Sequence, residues 1–215
     1  SRRQKAAPEL TASVALELTD LAMQHMIFQA RLSRRQDANG ITTPNGERYA
    51  IWADGIDELE FLISTNRGEQ PKALAKIASG GETARLMLAI KGVLQTRNGV
   101  GALVFDEIDS GVGGRAADIV GQKLWGLSKR CQVLCVTHLP QIAAHADHHF
   151  HVDKPVSDGR TRTRVTTLEG QNRVLELSLM LGGRETEASK STARQMITGA
   201  ERIKNIKQDE PHPHR

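Results

Sequence analysis

An α/β fold with a mainly parallel sheet flanked by helices is predicted by three features of this 215-residue sequence. Two short runs, Ala102–Phe105 and Val133–Val136, are apolar at every position, the pattern of strands in parallel sheets covered on both faces. They alternate with stretches of helical spacing, Glu82–Leu94 (Leu86, Ile90, Val93, Leu94) and Gly114–Leu127. The first run also passes directly into two carboxylates, Asp106 and Glu107, at the strand end where open α/β sheets hold ligands.

The remaining elements follow from local pattern. Leu10, Val14, Leu18 and Leu21 share a helical face within residues 8–24, and Pro8 suits the first turn of that helix. Met26–Leu32 and Asp57–Thr65 read as strands. The Asp-, Asn-, Gly- and Thr-rich stretch 36–55 between them carries a turn signal at Pro44-Asn45-Gly46. The first third is therefore an N-terminal helix with antiparallel strands. Beyond Val136, the pattern predicts a short helix over Leu139–Ala146, a strand over His148–Val152, a polar excursion with Pro155 and Gly159, and an edge strand over Arg162–Leu168. Helices over Arg173–Leu181 and Thr186–Ile206 come next, separated by Gly182-Gly183. The Pro-His-Pro-His tail, 208–215, is expected to be disordered.

Composition narrows the class. Apolar residues make up 39% and charged residues 25%, a globular balance, and no apolar run approaches the ~20 residues of a membrane span. No apolar segment follows Ser1-Arg2-Arg3-Gln4-Lys5 to make a signal peptide, and a start at Ser reads as a fragment or a processed chain. The net charge of +4 permits a DNA-facing surface without demanding one. Residues 184–207 hold six Lys/Arg against three acids, the ordinary make-up of a solvated helix face. Seven aromatics, none in a basic cluster, argue against a stacking platform for single strands. Cys131 and Cys135 read as small core residues in a reducing compartment, hence a cytoplasmic location. His149 and His151 share a strand face that His148 does not, which makes a poor metal set.

The chemistry concentrates in four short segments. Neighbouring strand residues point to opposite sides, so Asp106 and Glu107 divide their work: one faces a metal, the other a water. This pattern resembles the Walker B element of P-loop nucleotide hydrolases. Ser79-Gly80-Gly81-Glu82 opens the strongest helix, where Ser can cap and the glycines permit close backbone approach to an anion. It lies 27 residues before Asp106 (106 − 79) and resembles the ABC signature sequence, with Ala78 in place of Leu. Asp109, within Ile108-Asp109-Ser110-Gly111, resembles the D-loop. The strand ending in Thr137-His138 resembles the switch-histidine element, 31 residues after Glu107 (138 − 107).

In this order the four segments are similar to an ABC/SMC-type ATPase head. Glu60–Asn66, Ala78–Glu82, Phe105–Gly111 and Cys135–Ala143 resemble, more narrowly, the C-terminal half of the RecN family of DNA repair proteins, over about residues 15–200. Thr137-His138-Leu139-Pro140-Gln141 is the most telling stretch. Thr83 departs from the usual Leu. The resemblance implies that residues 1–24 end a coiled coil or pack on the head, and that 25–207 form the C-terminal lobe. It implies ATP and Mg²⁺ as cofactors, with Asp106 holding the metal, Glu107 as general base and His138 at the γ-phosphate. Ser79, Gly80, Gly81 and Glu82 would reach the nucleotide of a second head in a homodimer, and Asp109 would cross that interface.

No Gly-x-x-x-x-Gly-Lys-Ser/Thr occurs in the sequence. The family splits its head around a coiled coil, so the phosphate cradle is expected in an N-terminal half, the obligatory partner. The chain alone is expected to be inactive and the completed head to hydrolyse ATP, coupled to DNA tethering at the nucleoid. Three rivals have less support. Gly111–Ala116 fits a dinucleotide fingerprint, but residues 106–110 separate it from its strand and the next strand ends without an acid. A nuclease needs carboxylates from several elements, whereas Asp106, Glu107 and Asp109 lie in one. A non-enzymatic module that binds DNA or a partner without turnover has only the modest basic excess of 184–207 in its favour.

Overall fold

The computed structural model describes residues 2–66, 68–76, 80–94, 101–157 and 160–209, which fall into two compact units. The first contains the described residues up to 76 together with 85–94; the second contains 80–84 and the described residues from 101 onward.

The first unit begins with α1 (Arg2–Asp20), six residues earlier than the sequence suggests, so Pro8 lies inside the helix. Most residues before it are exposed, so the proline lies in the solvated first turns of the helix. Val14 and Leu18, at helical spacing, are buried. Next come β1 (Ile27–Ser33), β2 (Gln36–Thr42), β3 (Arg48–Tyr49), β4 (Glu58–Ser64) and β5 (Lys72–Ala73), the last followed by a 3-10 turn over Leu74–Lys76. β1 pairs antiparallel with β4 from Ile27↔Ser64 to Ser33↔Glu58, and β5 extends the sheet beyond β4. Phe28 and Ala30 alternate inward, and the Phe28 and Phe61 rings lie 5.4 Å apart. At the β1 edge the Ala30 amide donates to Thr11 Oγ1 at 3.0 Å, tying α1 to the sheet.

The polar stretch 36–49 forms a hairpin rather than irregular turns. Gly40 makes it possible, since a Cβ there would lie 2.0 Å from the Tyr49 carbonyl oxygen. The hairpin flank also holds the aromatic–basic pairs that the linear sequence conceals: Arg34 lies 5.7 Å from the Tyr49 ring centroid, and Arg35 lies 5.0 Å from that of Trp52.

α2 (Gly80–Val93) gives its first turn to the second unit. That unit continues with β6 (Ala102–Phe105), α3 (Gly114–Ser128), β7 (Gln132–Cys135), α4 (Pro140–Ala143) and β8 (His149–Asp153). The hairpin β9 (Val156–Ser157)–β10 (Arg160–Thr161), β11 (Arg164–Leu168), α5 (Gly170–Gly182) and α6 (Glu187–Asp209) complete it. β6 and β7 form the parallel pair, Ala102↔Gln132 through Phe105↔Cys135; β8 pairs antiparallel with β11. Ala117, Val120 and Leu124 are buried along α3. Gly121 lets α4 approach, because a Cβ there would lie 2.6 Å from His145 Cδ2. Ala143, Val174, Leu177 and Ala193 form one core cluster. α6 continues through Asp209, and the rest of the expected tail lies outside the described residues.

The strands are apolar as expected, yet one face of them is open. Val104 is 70% exposed, and Leu134, Val136, Phe150, Val152 and Val165 are also exposed. On β8 the usual alternation is inverted: His149 and His151 face inward while Phe150 and Val152 face solvent. His151 Nδ1 lies 3.1 Å from Glu176 Oε1. Burial, then the Arg173 charge, lower the pKa of His149 from its ordinary 6.5; Glu176 opposes this and His151 adds to it. Below about pH 6.5 the unfolded chain therefore binds more protons than the fold, and stability present above that pH is lost on acidification. Thermal melting should show Tm falling from pH 7 to pH 5, with a shallower fall in His149→Gln. An equal slope in the variant would remove His149 as its source.

Candidate nucleotide site at the sheet edge

Parallel register puts the ends of β6 and β7 side by side, and the Val136 amide donates to the Phe105 carbonyl at 2.9 Å. Asp106-Glu107 and Thr137-His138 therefore leave the sheet at the same edge. Asp106 is exposed, and its Oδ1 accepts the Glu107 amide at 2.9 Å. Glu107 is exposed with φ of +56°, a left-handed conformation uncommon outside glycine.

The two glycines that open α2 explain how Glu107 is accommodated. A Cβ on Gly80 would stand 2.2 Å from Glu107 Oε2. One on Gly81 would stand 2.7 Å from Ser110 Cβ and 2.9 Å from the Glu107 carbonyl oxygen. Only a chain without side chains there lets the helix start rest on the 107–110 turn, leaving the Glu107 carboxylate against the helix's positive end. Glu82, half-buried in the same first turn, has the charge that this end favours. Ser79 and Ala78 lie outside the described residues.

Asp109 is 5% exposed and faces inward. Its Oδ2 accepts the Thr137 hydroxyl at 2.6 Å and the His138 amide at 2.8 Å, and it lies 2.9 Å from His138 Nδ1. Burial raises the pKa of this carboxyl, but the bonds from Thr137 and His138 outweigh burial and hold it below the ordinary carboxylate value. The His138 ring is 76% exposed. Beside these acids, burial and then the charges of Asp109 and Asp106 push the Cys135 thiol up to about 12, so it stays protonated.

The loop beyond His138 is fixed from beneath. Arg173 Nη2 donates to the carbonyls of Ala143, Ala144 and Ala146 at 3.2, 3.0 and 2.8 Å. Lys204 Nζ reaches Asp147 Oδ1 at 2.6 Å.

No family model matches the chain. It is 40% identical over 205 residues to the DNA repair protein RecN of Bacillus subtilis, a match covering 94% of this chain and 36% of that protein. It is 40% identical over 196 residues to RecN of Haemophilus influenzae, covering 91% and 33% respectively. The chain is similar to one part of RecN. It spans about a third of the length of these RecN relatives. Among solved structures, the Smc head domain with a coiled coil and joint from Pyrococcus yayanosii matches with a TM-score of 0.52 at 21% identity, over 86% of this chain and 30% of that one. The shared fold is that of an Smc head domain.

The RecN-like segments Gly80–Glu82, Asp106–Gly111 and Thr137-His138 all contribute to the second unit. Among the described residues, no group of three or more His, Cys, Asp or Glu could hold a metal ion by itself. Asp106 nonetheless fits Mg²⁺, which commonly takes one or two carboxylates and completes its shell with phosphate oxygens and water. Sequence reasoning missed Thr137 as a partner of Asp109, and Arg173 altogether. Their partners lie 27–30 residues away along the chain, where no local pattern points to them.

Proposed function

We propose that this chain is the C-terminal lobe of the ATPase head of a RecN-type DNA repair protein. The observation carrying this reading is that Asp106-Glu107, Asp109 and His138 lie on one turn and two adjoining strand ends, with the start of α2 packed against that turn. An N-terminal half of the same protein would bring the phosphate cradle and cover the open apolar face at Val104, Leu134 and Val136.

When bound, Mg²⁺ on ATP supplies charge neutralisation at the transferred phosphoryl group. Asp106 would hold the metal, consistent with its exposed carboxylate at the strand end. Glu107 would take the proton of the hydrolytic water at its carboxylate, and the His138 ring would face the γ-phosphate. Ser79, Gly80, Gly81 and Glu82 would present the α2 N-terminus to the nucleotide of a second head, so ATP favours the head dimer and hydrolysis releases it. In the full-length protein this cycle would gate DNA tethering.

The test is ATP hydrolysis by this chain alone and after mixing with the N-terminal half. Silence alone and turnover on mixing is the expected result. Turnover by this chain alone would require a phosphate cradle within it and would overturn the split-head reading.

A further inference from the structure

We infer that the tip of a β-ribbon formed by residues 149–157 and 160–168 binds the phosphates of double-stranded DNA through Arg160, Arg162 and Lys154. The choice of DNA rests on the DNA-repair reading above, but none of these residues belongs to the candidate nucleotide site. β8 with β11 and β9 with β10 make one continuous ribbon. Its pairs run from His149↔Leu168 to Asp153↔Arg164, then through Val156↔Thr161 to Ser157↔Arg160, with no shift of register. Between them the Arg162 amide donates to the Pro155 carbonyl at 3.1 Å. Pro155 has no amide to give back, so the ladder breaks there while the register is kept.

The base of the ribbon is anchored and its tip is not. His149, His151 and Leu168 are half-buried, and His151 Nδ1 reaches Glu176 on α5. Residues 154–156 and 160–167 are all exposed. A two-stranded ribbon gains little stability by itself, so burial does not account for the residues at this tip.

Register sorts the charges. Successive strand residues face opposite sides, so Arg160, Arg162 and Arg164 line one face. Thr161 and Thr163, with Val156 and Lys154 across from them, line the other. Residues 153–164 hold four cations and two acids, Asp153 and Asp158, the latter outside the described residues. Asp153 stands across from Arg164 and accepts from both its Nε and its Nη2. Across from Arg160 and Arg162 stand Ser157 and Pro155, which carry no charge. No described carboxylate pairs with Arg160, Arg162 or Lys154. On α6, by contrast, Lys190 is tied to Glu185 and Lys204 to Asp147.

Spacing and shape select the ligand. Arginines two apart on a strand sit about 6.8 Å from each other, close to the separation of neighbouring phosphates along one nucleic-acid strand. Each guanidinium can take a phosphate through two parallel hydrogen bonds. Lys154 and the Thr161 and Thr163 hydroxyls add donors of the kind that hold phosphates on the opposite face. A two-stranded ribbon fits the major groove of B-form DNA, whereas the deep, narrow groove of an RNA duplex excludes it. Residues 153–164 include no aromatic on which unpaired bases could stack.

The experiment titrates full-length protein, wild type or carrying Arg160→Ala with Arg162→Ala, with two DNA duplexes of unrelated sequence across a range of salt and without nucleotide. The variant is expected to bind both duplexes roughly tenfold more weakly or worse. Its slope of log affinity against log salt should be shallower by about 2, because each phosphate contact contributes about 0.9. Arg194→Ala with Arg202→Ala removes the same charge from exposed positions of α6 and should leave that slope unchanged. An equal fall in both variants, or no fall in the ribbon variant, would overturn the inference. Amine-reactive labelling of the wild-type protein needs no variant: duplex DNA should protect Lys154, and undiminished labelling there would refute the contact. Weaker association with the N-terminal half at unchanged DNA affinity would make the tip a protein contact instead, and would also overturn it. ATP turnover without DNA should be the same in wild type and ribbon variant. If the wild type itself bound no duplex, the DNA-repair reading would fall too; wild-type binding that the ribbon variant retains strikes the inference alone.

Discussion

Full-length protein carrying Glu107→Gln is expected to bind ATP normally, accumulate as a head dimer, and hydrolyse ATP on the order of 10²–10⁴-fold more slowly. The size follows from what the substitution removes. Gln has nearly the shape of Glu, so contact with the start of α2 at Gly80 survives, while the group that accepts a proton is lost. The backbone argues in the same direction. A left-handed φ of +56° at a non-glycine residue costs of order 1–3 kcal/mol and persists where surrounding contacts enforce it. Here the enforcing contacts are the Asp106 carboxylate on the Glu107 amide and the Ser110 amide on the Glu107 carbonyl, at 2.9 and 3.0 Å. Radioactive ATP retention and mass photometry would check binding and dimerisation; phosphate release would check turnover. Wild-type turnover in the variant would dismiss Glu107 as the base.

The legibility of these elements in sequence follows the range of the forces involved. Ala102–Phe105 and the helix opening at Gly80 are set by unbroken apolar runs and by 3.6-residue spacing, both visible within a dozen residues. The β2–β3 hairpin was hidden because its residues are polar and its pairing depends on Gly40 passing under Tyr49. The Cys135 strand was expected to be buried on both sides, and Leu134 and Val136 are exposed. Their composition reflects an environment larger than this chain. Within the candidate site, motif spacing singles out Asp106, Glu107, Asp109 and His138 but says nothing of how their side chains are oriented. That Asp109 turns toward a histidine 29 residues onward is decided by tertiary packing alone.

The exposed apolar face leads to the second large expected effect. Val104→Asp should leave this chain folded, yet weaken its association with the N-terminal half by about 100-fold or more. In the chain alone the position is 70% exposed, so an aspartate there stays hydrated and costs little. Beside Leu134, its register partner across β6–β7, the same charge would be covered without a partner once the second half docks. An uncompensated buried charge costs several kcal/mol, and about 1.4 kcal/mol is tenfold in affinity. Val104→Ala is the control: it removes apolar area without adding charge and should weaken association by roughly tenfold, the loss of a small buried side chain. Titration calorimetry reads the affinities, and circular dichroism shows that the variants keep their secondary structure. If Val104→Asp binds the N-terminal half as tightly as wild type and restores hydrolysis equally, the open face is not where the two halves meet. The apolar strands would then need a different cover, such as a second copy of this chain, which sedimentation of the chain alone would detect.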